Sequence, residues 1–259
     1  MKWKIKCLLC LFPFLAGLML FYILPFCKIL YYSAIDNQFG KVFVGMKNYA
    51  AVLSNQYFLL SLKNSILIII FCVPVMVIAA IMIAYCINRS KYMMNLSFCF
   101  ILPIVLPTAA VVPIWKELFQ SIHSVLPVYL LFIYKNIGMS VVLISAAMRN
   151  IPAEIYEAAE LDGADNIQLF RWITIPCAAP AILFSTLMGM VSSFRIYKES
   201  YLYYGTNYPP MHSYSLQYYM NNHFLKLDYQ ALSCGAVINM LMILVITLFM
   251  LRLQRKYLW

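Results

Sequence analysis

The sequence predicts an all-α polytopic membrane protein with six transmembrane helices, and three observations carry that reading. Of the 259 residues, 64% are hydrophobic and 11% charged, with a mean hydropathy of +0.81. A water-soluble domain of this length has no means of burying so much apolar surface, whereas lipid solvates it. The apolar residues gather in six runs, each near the roughly 20 residues that a helix needs to cross a hydrocarbon core. Lysine and arginine stand at the ends of the runs and set their direction. Little chain is left for a separate soluble domain, so 1–259 reads as a single transmembrane domain.

The first span covers 7–31 and follows Lys2, Lys4 and Lys6, which argue for a cytoplasmic N-terminus. A basic start before an apolar run also resembles a secretory signal, but this run is too long and lacks a small-x-small cleavage site. The second span covers 64–87, and Arg89 and Lys91 fit a short inner loop after it. The third, 95–115, carries Pro103, Pro107 and Pro113 and has the least defined ends. Proline within spans (also Pro13, Pro25 and Pro74) marks kinks, tolerated because neighbouring helices satisfy the freed backbone groups.

The fourth span is 125–148, the fifth 172–194 and the sixth 234–253. Six crossings return the C-terminus to the cytoplasm, where Arg252, Arg255 and Lys256 agree. Ten basic residues fall inside on this reading and nine elsewhere, so orientation rests on the termini and the short loop. The net charge of +10 is scattered among spans, which suits membrane orientation and lipid contact and points to no nucleic acid.

Chemistry-bearing motifs are scarce. The sequence holds no phosphate-cradling Gly-Lys-Ser/Thr loop, no nucleophile elbow and no His-Glu-x-x-His, so no catalytic residue is assigned and the chain does not read as an enzyme. Cys7-x-x-Cys10 has redox spacing without a second pair, and the eight cysteines read as buried apolar residues. His123, His212 and His223 fall in outer loops and never at i,i+4; no metal and no cofactor are implied.

Charge concentrates between the fourth and fifth spans, in the loop 150–176. Pro152 suits the first turn of a helix and Asn150 is a nearby cap candidate. Glu154 meets the positive end of the helix dipole, Ala153, Ala158 and Ala159 favour helix, and Asp162-Gly163 stops it after about three turns. Gln168, on the following stretch, is expected to matter less. The unit is a short surface helix, a turn and a lead back into the membrane. A merely solvated loop is the plainer alternative.

The order Glu157-Ala158-Ala159, Asp162-Gly163-Ala164, then Ile175-Pro176 resembles the EAA loop of binding-protein-dependent ABC importer permeases. Phe43-Val44-Gly45-Met46-Lys47-Asn48-Tyr49 and Leu62-Lys63-Asn64-Ser65 are similar to segments of the carbohydrate permeases of that family. So is the outer region that runs through Tyr214-Ser215-Leu216-Gln217-Tyr218-Tyr219, although Gly205-Thr206-Asn207-Tyr208-Pro209-Pro210 departs from its commoner Gly-Gly-Pro pattern.

The resemblance implies a type I importer permease fold in a bacterial plasma membrane, with cytoplasmic ABC ATPase subunits, a second homologous permease and an extracellular solute-binding protein as partners. Glu157 would then be the main polar contact of a coupling helix, Ala158 and Ala159 its close-packed face, Gly163 its turn, with Asp162 and Ala164 beside it. Import of a non-sugar solute, a self-sufficient secondary transporter and a membrane scaffold stay open. A secondary transporter usually shows repeated halves and midspan acids, and neither is evident here.

Two further readings concern a solute path. Lys135 falls midway along the fourth span, about 20 Å from Arg149 at helical rise. Either it lines a wet translocation cavity or the span boundary lies elsewhere, since charge in a span is costly. Tyr201, Tyr203, Tyr204, Tyr208, Tyr214, Tyr218 and Tyr219 crowd one outer loop and read mainly as an interfacial aromatic belt, with sugar stacking as the alternative.

Overall fold

The structure is a computed structural model that describes residues 11–37, 39–89, 99–122 and 124–257, the side chains of 254–257 excepted. Lys2, Lys4, Lys6, Cys7, Cys10, Lys91, His123 and the beginning of the third span lie outside the described residues, as do the side chains of Arg255 and Lys256. Five described helices are long and apolar enough to cross a membrane, or six where a sharply bent pair is counted as one span.

In chain order the helices are α1 (Leu11–Ser33), α2 (Lys47–Ser54), α3 (Gln56–Arg89), α4 (Cys99–Val105) and α5 (Thr108–Leu118). After them come α6 (Leu126–Arg149), α7 (Ala153–Leu161), α8 (Asn166–Ser193), α9 (Tyr197–Tyr204), α10 (Leu216–Leu225) and α11 (Tyr229–Tyr257).

The third predicted span departs from a single helix over 95–115. Its two pieces, α4 and α5, meet at 102° across Leu106-Pro107. Pro107 has no N–H to donate and disfavours helical backbone at the residue before it, and Leu106 accordingly turns extended at ψ 130°. The other proline response is gentler. In α1 a π turn at Met19–Ile23 precedes Pro25, and in α8 one at Phe170–Thr174 precedes Pro176. Widening the turn takes up the backbone groups that proline disrupts without stopping the helix.

The chain forms two compact units, Met1–Leu59 with Tyr219–Met242, and Leu60–Tyr218 with Ile243–Trp259. In the first, Asn48 Nδ2 donates to the carbonyls of Ser33 (3.1 Å) and Ile35 (2.7 Å), and the Tyr49 hydroxyl donates to Ser33 Oγ. Gly45, at φ +56°, provides the turn that brings α2 to that point. The Phe-x-Gly-x-x-Asn-Tyr segment is thus the device that satisfies the open carbonyls at the end of α1.

In the second unit α6 packs on α8 and α4, and α9 packs on α5 and α6. Ala80, Ala84 and Ile87 of α3 meet Val141, Ile144 and Met148 of α6 and Ala178 of α8. Small residues let membrane helices approach closely. The extreme case is Gly138, where an added Cβ would lie 1.6 Å from the carbonyl oxygen of Phe100. Cysteine departs from the all-buried expectation: Cys72 and Cys234 are buried, while Cys27, Cys86, Cys99 and Cys177 face outward. On a spanning helix the outward face meets lipid, so an apolar thiol sits there without penalty.

Candidate functional site

The segment after α6 folds as a braced surface helix. Pro152, at ψ 138°, is the residue that precedes α7, and Asn150 instead closes α6. α7 ends in a complete Schellman turn: Gly163 N–H donates to Glu160 O and Ala164 N–H to Ala159 O, both at 3.0 Å, around Gly163 at φ +86°. Ala159 and Ala164 are half-buried, whereas Glu157, Ala158, Asp162 and Gly163 are exposed. The outward face also presents Leu161 at 90% exposure, with Ile167 beyond the turn at 73%.

The inward face is tied to α8 directly, and through it to α3 and α6. The Tyr156 hydroxyl shares a 3.0 Å hydrogen bond with Thr174 Oγ1, whose proton reaches the Leu169 carbonyl inside the π turn of α8. Arg89, the last residue of α3, donates to Asn166 Oδ1 at 2.7 Å in the first turn of α8. Asn88 Oδ1 accepts from Arg149 Nε and from Ser145 Oγ, joining α3 to α6. Glu157 and Ala158 therefore stand on a platform fixed to α3, α6 and α8.

Gln168 is not a bystander. It forms a reciprocal capping box with Asp165, each side chain bonding the other's backbone N–H at 2.7 and 2.9 Å. The Asp-x-x-Gln spacing was the available signal, ahead of an apolar run.

A cavity of about 490 Å³ opens at the break between α4 and α5. Lys135 lines it, is buried, and donates from Nζ to the Leu106 carbonyl at 2.6 Å. That carbonyl is freed by the break, so the lysine caps a chain interruption where no backbone donor is available. Arg195, Lys198 and Glu199 line the same cavity, with Asn136 and Ser192 beside them. Burial pushes the Glu199 carboxyl up; its own backbone hydrogen bond and the nearby Lys135, Lys198 and Arg195 pull it back down, and burial prevails.

The tyrosines of the outer loop divide, and the belt reading fails for three of them. Tyr214, Tyr218 and Tyr219 are buried, at 9%, 0% and 2% exposure, while Tyr208 is exposed. Tyr218 stacks edge-on with Tyr197 and donates its hydroxyl to Ser200, and Tyr204 bonds Ser213. Asn64 Nδ2 holds the carbonyls of Met211 and Tyr214, and Ser65 Oγ accepts from Leu216 N–H. Asn64 and Ser65 are therefore a clamp on the outer loop at Met211, Tyr214 and Leu216, with the Tyr204 and Tyr218 hydroxyls used within the protein.

Comparison with known proteins agrees with this architecture. Residues 50–257 match the family described as binding-protein-dependent transport system inner membrane component. The arabinooligosaccharides transport system permease protein AraP of Bacillus subtilis (strain 168) is 24% identical, over 95% of this chain and 87% of that protein. The lactose transport system permease protein LacF of Rhizobium radiobacter is also 24% identical, over 70% of each. Among solved structures, a chain of a bacterial alginate ABC transporter, crystallised with an alginate pentasaccharide-bound periplasmic protein, superposes with a TM-score of 0.77 at 18% identity, covering 99% of this chain and 96% of that one. A helical fold with five long apolar helices and one sharply bent apolar pair, matched to the family over most of its length, makes this chain a membrane-embedded transport permease of the binding-protein-dependent inner membrane component family.

Proposed function

We propose that the whole chain, 1–259, acts as one permease domain of an ABC importer for carbohydrate, with both termini in the cytoplasm. Its partners are cytoplasmic ATPase subunits, a second homologous permease and an extracellular solute-binding protein. The observation that carries the reading is the outward face of α7, where Glu157, Ala158 and Leu161 are exposed on a helix hydrogen-bonded to α8, which is in turn bonded to α3. Apolar side chains presented among acids mark a surface for a partner.

On this reading Glu157 supplies the polar contact with the ATPase, Ala158 and Ala159 permit close approach, and Asp162, Gly163 and Ala164 fix the end of the docking helix. Closure of the ATPases on ATP moves α7 as a rigid piece. Tyr156–Thr174 and Arg89–Asn166 pass that displacement to α8 and α3, and the permease pair changes the side to which its cavity opens. The ATPase drives the change only to the extent that it binds one state better than the other. Lys135 lines the path. The named sugars of AraP and LacF favour carbohydrate as the cargo.

The test is uptake in proteoliposomes, with arabinose and glucose oligosaccharides as probes. Import that requires ATP, the ATPase and the binding protein is expected. Uptake by the permease alone would move the chain to the secondary transporters. Reporter fusions after Asn207 and at the C-terminus should read external and cytoplasmic, respectively.

A further inference from the structure

We infer that the cavity at the α4–α5 break selects an anionic carbohydrate, a sugar that carries carboxylates. The inference rests on the translocation reading above and narrows its cargo. Three cations, Lys135, Arg195 and Lys198, line the cavity against one carboxylate, Glu199. Among the described residues none of the four belongs to a close ion pair, and the single Glu199 carboxylate offsets only part of the positive charge. Lys135 uses one of its three N–H groups on Leu106 and keeps two others.

A neutral sugar entering here would leave that charge uncompensated. A carboxylate meets it, and the planar Arg195 guanidinium matches carboxylate oxygens in pairs. Arg195 and Lys198 are exposed, and a cleft lined by one sign of charge raises the local concentration of anions. The same cavity carries neutral polar groups for hydroxyls: Asn136 gives its Nδ2 to Phe132 O at 2.8 Å and retains its amide oxygen, and Ser192 stands beside it. Its volume of about 490 Å³ lies within the range of roughly 300–1,000 Å³ typical of small-molecule sites. Cations together with hydroxyl partners describe a uronate better than a simple organic acid.

The experiment measures equilibrium binding of trigalacturonate, maltotriose and trehalose 6-phosphate to the assembled, nucleotide-free importer in nanodiscs without its binding protein, so that the cavity alone selects. Trigalacturonate should bind at least about tenfold tighter than maltotriose, a difference of about 1.4 kcal/mol. Raising the salt from about 0.05 to about 0.5 M, which shortens the Debye length several-fold, should shrink the gap. The double variant Arg195→Gln, Lys198→Gln should abolish the preference, and Lys226→Gln, outside the cavity lining, should leave the preference unchanged.

Equal affinity for the two trisaccharides, or a preference that survives the double variant, overturns the inference. Tighter binding of trehalose 6-phosphate than of trigalacturonate overturns the carboxylate assignment. Loss of the second permease on purifying the double variant would mean that these cations serve assembly, and also overturns it. Full maltotriose import with no uronate preference leaves the carbohydrate importer standing and removes only the charge selection. Failure of all three probes to bind or be imported removes both.

Discussion

Gly163→Val tests whether the shape of the α7 terminus, more than its charge, sets the grip on the ATPase. Gly163 holds φ at +86°, and no atom lies within 4 Å of an added Cβ, so the chain itself offers no steric objection. The cost is conformational: an L-residue in the left-handed region loses about 1–2 kcal/mol, and a β-branched one fits worst. If the turn relaxes to avoid this, the bonds from Gly163 N–H and Ala164 N–H to Glu160 and Ala159 are lost, and Leu161 and Ala158 leave their positions. Docking must then restore the turn, which weakens ATPase association by about 5–30-fold.

Asparagine tolerates the same backbone region, so Gly163→Asn should retain most of the affinity. The assay is the dissociation constant between detergent-solubilised permease pair and ATPase, with membrane insertion and ATP-dependent uptake measured in parallel. Insertion should be normal for both variants, because the change lies outside the hydrocarbon core. Wild-type affinity and uptake for the valine variant would refute the reasoning. An asparagine variant as weak as the valine one would show that bulk at the interface, and not backbone, is responsible.

Three further outcomes follow from the packing. Gly138→Ala should prevent stable assembly or lower the thermal midpoint sharply, since its Cβ would meet the backbone oxygen of Phe100 at 1.6 Å, beyond the usual overpacking cost of about 1–3 kcal/mol. Gly189→Ala meets the flexible end of Met76 at 2.7 Å and should be milder; the reverse order in detergent thermal melts would contradict the helix packing. Lys135→Met removes the charged partner of the half-buried Leu106 carbonyl and should cost about 1–3 kcal/mol, seen as a lower melting midpoint that Lys135→Arg largely restores. Asp165→Ala should cost about 1 kcal/mol and speed amide exchange in the first turn of α8, with Gln168→Ala a smaller effect of the same kind, because it keeps the N-cap carboxylate that also favours the positive end of the helix dipole.

Composition and charge order were enough to place this chain in a membrane. The local chemistry of Glu157 through Ala164 was enough to read a short helix that ends at Gly163, because caps, alanine and glycine act through their own backbone and need no distant partner. Asp165 and Gln168 are legible on the same grounds, as a capping box. The break at Leu106-Pro107 was only half legible. Three prolines announced trouble in the third span, but proline also sits in α1 and α8, where a π turn lets the helix continue.

Tertiary structure alone decided which outcome each proline took, and why Lys135 stands where it does: its partner is a carbonyl 29 residues earlier, exposed by the break. Burial of Tyr214, Tyr218 and Tyr219 was likewise beyond the sequence, since an amphipathic ring suits a membrane interface and a packed outer clamp equally well. In a soluble helix, water forces polar residues to one side and thereby reveals the other. Lipid makes no such demand, so both faces of α3, α6 and α8 are apolar, and which of them packs is settled by small residues such as Gly138 and Ala178 meeting surfaces that only the fold brings to them.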